Sequence, residues 1–277
     1  MRDYLVSRDD IRKLHPIFQG KHGDKLIDFA FRISALEVAN NIYNNSKHLT
    51  GHEFCTDVLD KLGVKRTLHN YEVLNDFEGK PFITVSNHVY GHIDGIAIIE
   101  AIASKFKDYK VMVNFILGLI DTMSENFITI NPMKDGKRED ITLSGIRECF
   151  TQLKDGHPLG FFPAGAISNL YFKKGRFVIE DREWQPSVIR IIMKANVPVI
   201  PVHISGRNSL SFYLSRIFGW KARNLRLCHE LKNKNGLNVD LTFGDPIMPN
   251  EIKSFKRDVK NLGKFIREKT YYLADTK

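Results

Sequence analysis

"TVSNHVYGHIDGIAI", Thr84–Ile98, packs two histidines, an aspartate and two glycines between two apolar runs. The residues at its start, "FITVS" (82–86), have the short, β-branched and aromatic character of a buried strand. Those at its end, "GIAIIEAIASKF" (95–106), have the length and composition of a helix. His88, His92 and Asp94 therefore fall in a strand-to-helix loop, and three chemistries compete for them. His88 and His92 have the i, i+4 spacing of metal-binding helices. The glutamate of H-E-x-x-H is missing, however, Gly91 intervenes, and the spacing matters only in a helix. Asp94, directly ahead of the helical run, reads as an N-cap whose carboxylate accepts backbone N–H groups. A histidine poised near neutral pH also suits removal of a hydroxyl proton, with a carboxylate behind it to fix the tautomer. His88 and Asp94 meet if the loop curls back, which Gly91 and Gly95 permit.

Outward from this stretch the chain alternates short apolar strands with amphipathic helices. Strands are predicted at "KVMVNFI" (110–116), "NFITIN" (126–131), "PLGFF" (158–162), "VPVIPVHI" (197–204) and "NVDLTFGDPI" (238–247). Helices are predicted at "EDITLSGIRECFTQLKDG" (139–156), at "PSVIRIIMKAN" (186–196), where Pro186 suits a first helical position, and along 250–273. The alternation implies an α/β fold: a mostly parallel central sheet with helices on both faces. Residues 1–65 read as an N-terminal helical segment ahead of an α/β domain at 66–277. Within that segment, Lys25–Asn45 carries apolar residues around much of its circumference, and Thr50, Glu53 and Gly63 frame a capped helix. Ligands of such sheets bind at the carboxyl ends of strands. The His88 loop and the loop "FPAGAIS" (162–168) should therefore be neighbours.

Composition limits the rest. The 277 residues are 43% hydrophobic and 26% charged, ordinary globular material. Forty-one lysines and arginines against 32 acids leave a net charge of +9, a sign that suits nucleic acid, an anionic bilayer or an acidic carrier protein. Cys55, Cys149 and Cys228 are scattered and in no C-x-x-C pattern, which argues against a disulfide framework or structural zinc and for a reducing compartment. The N-terminus is too charged for a secretory signal, and no run reaches the ~18 apolar residues of a membrane span. No G-x-S-x-G elbow, dinucleotide fingerprint or P-loop occurs.

Three blocks together resemble a known family. "NHVYGHIDG" is similar to the His–Asp block of the glycerolipid and lysophospholipid acyltransferase superfamily, "FFPAGAIS" (161–168) to its F-P-E-G-T-R-S block, and "VPVIPVHISG" (197–206) to its later strand. The H-x5-D spacing, with F-P-A-G and "DREWQPSVIR", looks like the branch often labelled hemolysin, which includes O-acyltransferases completing ornithine- and glycine-type lipids. The resemblance implies that His88 is the general base, Asp94 its partner, and that Asn87, Phe162, Pro163, Ala164 and Gly165 line the acceptor side. Where phospholipid enzymes carry Glu and Arg in that loop, this chain has Ala164 and Ile167. A charge-free isoleucine does not pair with an acceptor phosphate. An amino-acid lyso-lipid therefore fits better than a glycerol phosphate, the acceptor of a 1-acylglycerol-3-phosphate acyltransferase. Its carboxylate would meet Lys173, Lys174 and Arg176, or Lys134 and Arg138, though both clusters read first as solvated faces.

The resemblance further implies acyl-ACP or acyl-CoA as co-substrate, no other cofactor and no metal. It implies a lyso-lipid acceptor, no nucleic-acid partner, and a cytoplasmic protein peripheral on the inner face of the membrane. The apolar surface of Lys25–Asn45 reads as a membrane anchor or, equally, as a helix packed on the α/β core. The same departures admit a lipid- or carrier-binding protein without catalysis. His203 and Asn208 read first as a satisfied histidine and a turn asparagine, and Trp184 as a packing anchor.

Overall fold

The computed structural model describes residues 4–275 except 15, 35, 115–116, 119, 131–132, 135–136, 139–142, 220–222, 224–225 and 228. Four helices come first: α1 (Arg8–Leu14), α2 (Gly23–Ser34), α3 (Leu36–Ser46) and α4 (Gly51–Lys61). The expected single helix over 25–45 is two, because its halves bury different faces. Ile27 of α2 packs with Ile11 and Leu36, whereas Tyr43 of α3 joins the main core with Phe54, Val58 and Leu59 of α4. Thr50 occupies the α4 cap position without a side-chain cap bond. At the other end, the Gly63 N–H reaches Asp60 O and the Val64 N–H reaches Leu59 O, the paired bonds of a Schellman stop.

Next come β1 (Lys65–His69), β2 (Ile83–Ser86), α5 (His92–Ala103), β3 (Lys110–Asn114), β4 (Phe127–Ile130), the short pair β5 (Met133–Lys134) and β6 (Lys137–Arg138), and α6 (Leu143–Lys154). β7 (Leu159–Phe161), β8 (Asn169–Lys173), β9 (Arg176–Glu180), α7 (Pro186–Ala195), β10 (Val199–Ile204), α8 (Leu210–Leu214) and β11 (Asn238–Phe243) follow. Two C-terminal helices, Pro249–Ser254 and Val259–Tyr272, replace the single predicted one. Lys256 takes φ +54° between them, and the Asp258 carboxylate caps the second by accepting from the Asn261 N–H.

Seven strands form one sheet in the order β1-β11-β10-β2-β7-β3-β4, with β10–β11 as its one antiparallel pairing. The α/β expectation is met, and β1 is a strand that sequence patterning does not predict. Strand periodicity sorts side chains onto two faces. Ile83, Val85, Leu159, Phe161 and Val199 pack against Cys149 and Leu153 of α6, Val188 and Ile192 of α7, and Leu262 and Ile266 of the last helix. Ile200, Val202 and Ile204 face α4 and α5. Because β10, β2 and β7 are adjacent and parallel, the loops after Ile204, Ser86 and Phe161 emerge side by side at one edge.

Candidate active site

Asn87 directly follows the central strand β2. Its side-chain NH2 donates to Ile204 O at 2.9 Å and its oxygen accepts from the Ile204 N–H at 2.7 Å, so both ends of this buried amide are committed to β10. The chain then leaves the sheet and turns at Gly91, where φ is +85° and a Cβ would stand 2.7 Å from Ile167 Cδ1. A side chain there would meet both backbone strain and a steric clash. The turn brings α5 back under the loop. Asp94 is in its first turn rather than at its cap, since the helix begins at His92. The Asp94 carboxylate still serves the helix start: its Oδ2 accepts from the Tyr90 and Gly91 N–H groups at 2.8 and 2.9 Å. Gly95, expected to help the turn, is inside the helix, where an added methyl would meet nothing within 4 Å.

His88 Nδ1 stands 3.0 Å from the same Asp94 Oδ2, with the carboxylate fully buried and the imidazole 19% exposed. The contact is short, but its geometry is not that of a hydrogen bond. A carboxylate facing Nδ1 favours the proton on that nitrogen and leaves the Nε2 lone pair as the basic site. Phe162, the first residue after β7, lies beside the imidazole with ring centroids 4.4 Å apart.

The Phe162 loop is a tight turn closed by the Gly165 N–H on Phe162 O at 2.9 Å. Pro163 O accepts from the Gln185 N–H, and Ala164 O from Arg182 Nε at 2.7 Å. The Ala164 side chain is fully buried in the core, so it shapes the loop from beneath. Gly165 has φ +57°.

Ser168 and Asp181 are the residues sequence reasoning missed. The Ser168 N–H donates to His88 O at 2.6 Å, and its hydroxyl donates to Asp181 Oδ1 at 2.6 Å. Asp181 Oδ1 also accepts from the His88 N–H at 3.1 Å, and Oδ2 from the Trp184 indole at 3.0 Å. Trp184 is thus an anchor, as expected, with its indole donating to this carboxylate. Burial pushes the Asp181 carboxyl above its usual range, against the pull of Ser168, Trp184 and His88. A single buried acid therefore holds the histidine's backbone in place.

Asn208 has the same duty on the other side. Rather than a turn residue, it is a buried clamp donating to Val89 O at 3.0 Å and accepting from the buried Lys234 ammonium at 2.8 Å. Lys234 also lies 4.7 Å over the Tyr90 ring. Arg223 Nη2 donates to Ile167 O and Ser168 O at 3.0 and 2.9 Å, bringing a guanidinium onto the loop where Ile167 left no charge. His203 packs edge-on to Tyr271.

His88 and His92 do not share a helical face, because the helix starts at His92. Burial, with Lys234 and His88 nearby, lowers His92 to about 3 and keeps it neutral. Among the described residues no group of three or more His, Cys, Asp or Glu side chains is placed to hold a metal. Lys173, Lys174 and Arg176 stand at the exposed tip of the β8–β9 hairpin, where Lys173 pairs with Glu180. Roughly 15 Å of extended strand between Ser168 and Lys173 carries them away from the imidazole. The side chains of Lys134 and Arg138, on β5–β6, lie outside the described residues.

A sequence model of the acyltransferase family matches residues 22–277. The chain belongs to that family. A lyso-glycine lipid O-acyltransferase from Bacteroides thetaiotaomicron is 27% identical to this acyltransferase over 252 residues, 88% of this chain and 89% of its own. A protein of the same name from Phocaeicola vulgatus is 26% identical over 261 residues, covering 89% and 88%. The crystal structure of the 1-acyl-sn-glycerophosphate acyltransferase PlsC from Thermotoga maritima aligns with a TM-score of 0.50 at 18% identity over 89% of this chain and 88% of that one. At that identity the likeness speaks for the fold. Among the described residues no helix of this acyltransferase is long and apolar enough to cross a membrane.

Proposed function

We propose that this acyltransferase moves a fatty acyl group from an acyl thioester to the hydroxyl of a lyso-lipid with an amino-acid head group, with His88 as general base and Asp94 as its partner. The observation that carries the reading is the 3.0 Å approach of His88 Nδ1 to the buried Asp94 carboxylate. In the first step Nε2 takes the acceptor hydroxyl proton as the oxygen attacks the thioester carbonyl carbon. In the second, the tetrahedral intermediate collapses, the C–S bond breaks, and the imidazolium returns the proton to the leaving thiolate. Asp94 offsets the charge of the transient imidazolium.

The acceptor class is supported by the two relatives whose names specify a lyso-glycine lipid. It is supported also by Ile167, which offers no charge to a phosphate. An amino-acid head group carries a single carboxylate, and Arg223 is the cation we assign to it. Its guanidinium already reaches the loop, and burial followed by Arg216 nearby lowers its pKa, so an added anion would be favourable there. The thioester would be carried by acyl carrier protein or coenzyme A, both acidic enough to suit a net charge of +9. The acyltransferase would act from the cytoplasmic face, peripheral to an anionic membrane, as the acceptor lives in a bilayer.

Incubation of purified protein with a lyso-glycine lipid and an acyl-ACP or acyl-CoA thioester should give the diacylated lipid, read by mass spectrometry. Lipid binding with no turnover on lyso-glycine, lyso-ornithine or lysophosphatidic acceptors would instead make it a binding protein.

A further inference from the structure

Two exposed apolar segments are rooted on the residues that hold His88. The β8–β9 hairpin leaves one residue after Ser168 and returns one residue before Asp181, so both of its feet are clamps of the histidine. Its tip is a two-residue turn, Lys174-Gly175, with φ +48° and +78°, the primed geometry that suits a tight hairpin. Phe172 and Phe177 face each other across it, 66% and 72% exposed, with rings 5.1 Å apart. The second segment, Leu210–Phe218, starts two residues after Asn208, the clamp on Val89. It exposes Leu210, Leu214, Ile217 and Phe218, the last two at 79% and 82%. A shallow cleft lined by Leu170, Tyr213, Leu214, Arg216 and Ile217 joins the two segments.

The charge around this apolar surface has one sign. Over residues 169–180 and 205–218 the bases are Lys173, Lys174, Arg176, Arg207 and Arg216, and the one acid is Glu180. Phenylalanines and isoleucine ringed by lysine and arginine match an interface that is apolar beneath and anionic at its surface. By contrast, α3 spends Tyr43 and Ala39 on the core, and α2 offers Phe29 at 54% exposure on a helix whose Lys25 and Arg32 are balanced by Asp24 and Asp28.

We propose that the β8–β9 hairpin and the Leu210–Phe218 segment form one docking surface for an anionic lipid bilayer, in place of helices α2 and α3. The proposal rests on the acyl-transfer reading for why a bilayer is the partner. It gives Lys173, Lys174 and Arg176 the role of contacting lipid head groups. Because both segments are rooted beside the clamps of His88, the membrane would lie on the side of the molecule that carries the site.

Flotation of the full chain with phosphatidylglycerol-containing vesicles tests this. The wild-type protein is expected to float, and to do so less on pure phosphatidylcholine or as salt is raised. Phe172→Ser/Phe177→Ser and Ile217→Ser/Phe218→Ser should each weaken vesicle binding about tenfold or more, with Phe29→Ser unchanged. Both double variants should keep their acyl-transfer rate on a lyso-lipid presented in detergent, which separates docking from chemistry. Wild-type protein that does not float, hairpin variants that float like wild type, or loss of flotation in Phe29→Ser alone would overturn the proposal. So would a wild-type dimer that Phe172→Ser/Phe177→Ser turns monomeric without altered flotation, since the surface would then join two copies. Flotation as expected with no transfer to any acceptor would leave the docking surface standing and overturn the acyl-transfer reading alone.

Discussion

Asp181 and His88, 93 residues apart in the chain, are joined by a 3.1 Å hydrogen bond in which the histidine's backbone N–H donates to the buried carboxylate. The same acid gathers the Ser168 hydroxyl and the Trp184 indole. It is a positioning group, working through the histidine's main chain. Asp181→Ala strands the His88 N–H and the Trp184 indole, at about 1–3 kcal/mol for each one left buried and unpaired, while the Ser168 hydroxyl keeps His88 O at 3.0 Å as an acceptor. A loop displaced by an ångström costs about 10²-fold in rate. Asp181→Asn keeps an acceptor oxygen and should fall between wild type and Asp181→Ala in both urea stability and kcat. Equal losses in the two variants would show that charge, rather than an acceptor, is what the loop needs.

Under the proposed mechanism Asp94 has two duties, which substitution separates. Asp94→Asn retains an oxygen for the Tyr90 and Gly91 N–H groups, so its urea midpoint should stay near that of wild type. It loses the charge behind Nδ1, and its kcat should drop by ~10²–10⁴. Asp94→Ala should lose activity and in addition about 1–3 kcal/mol of stability. An Asp94→Asn protein with undiminished kcat would leave Asp94 as a helix-start residue only.

Gly91, at the turn, and Gly95, inside α5, should respond in opposite directions. Gly91→Ala forces a side chain into φ +85° with ψ −98°, backbone that L residues rarely adopt, and against Ile167, at about 1–3 kcal/mol for the strain plus the clash. It should lower activity as well, because the strain sits beside His88. Gly95→Ala adds a methyl inside α5 where nothing stands within 4 Å, and should stabilise by ~0.5–1 kcal/mol. Thermal melts of the two variants check both signs.

His92 sets a pH dependence. The folded protein keeps it neutral down to about pH 3, whereas the unfolded chain binds that proton near the ordinary value of about 6.5. Between those values the unfolded state holds more protons, so stability falls as pH falls. The slope is about 1.4 kcal/mol per pH unit, or about 2 kcal/mol from pH 7 to pH 5. Urea titrations at the two pH values should show His92→Gln losing less than wild type by about that amount. Parallel losses would mean His92 titrates normally.

Much of this is legible in local sequence. Periodicity and composition mark the strands and helices that build the sheet, and "NHVYGHIDG" marks the His88–Asp94 pair. What stays hidden is long-range. Asp181 carries no local signal for its bond to His88, because the 93-residue gap closes only once β2 and β7 lie side by side. Asn208 looks like any turn asparagine until Val89 O is beside it. The β8–β9 hairpin escapes prediction because its exposed phenylalanines break the inward–outward alternation of a half-buried strand. The left-handed turn at Lys174 uses a residue that does not advertise it. Asp94 reads as a cap rather than a first-turn residue because only the bend at Gly91 pulls His92 and Ile93 into the helix.

The most direct measurement is kcat for His88→Ala against wild type, with acyl thioester and lyso-glycine lipid, on protein whose circular dichroism and melting temperature match wild type. Loss of a positioned base predicts a rate lower by ~10²–10⁴-fold. A folded His88→Ala protein turning over at the wild-type rate would contradict the assignment of the imidazole as the group that takes the hydroxyl proton.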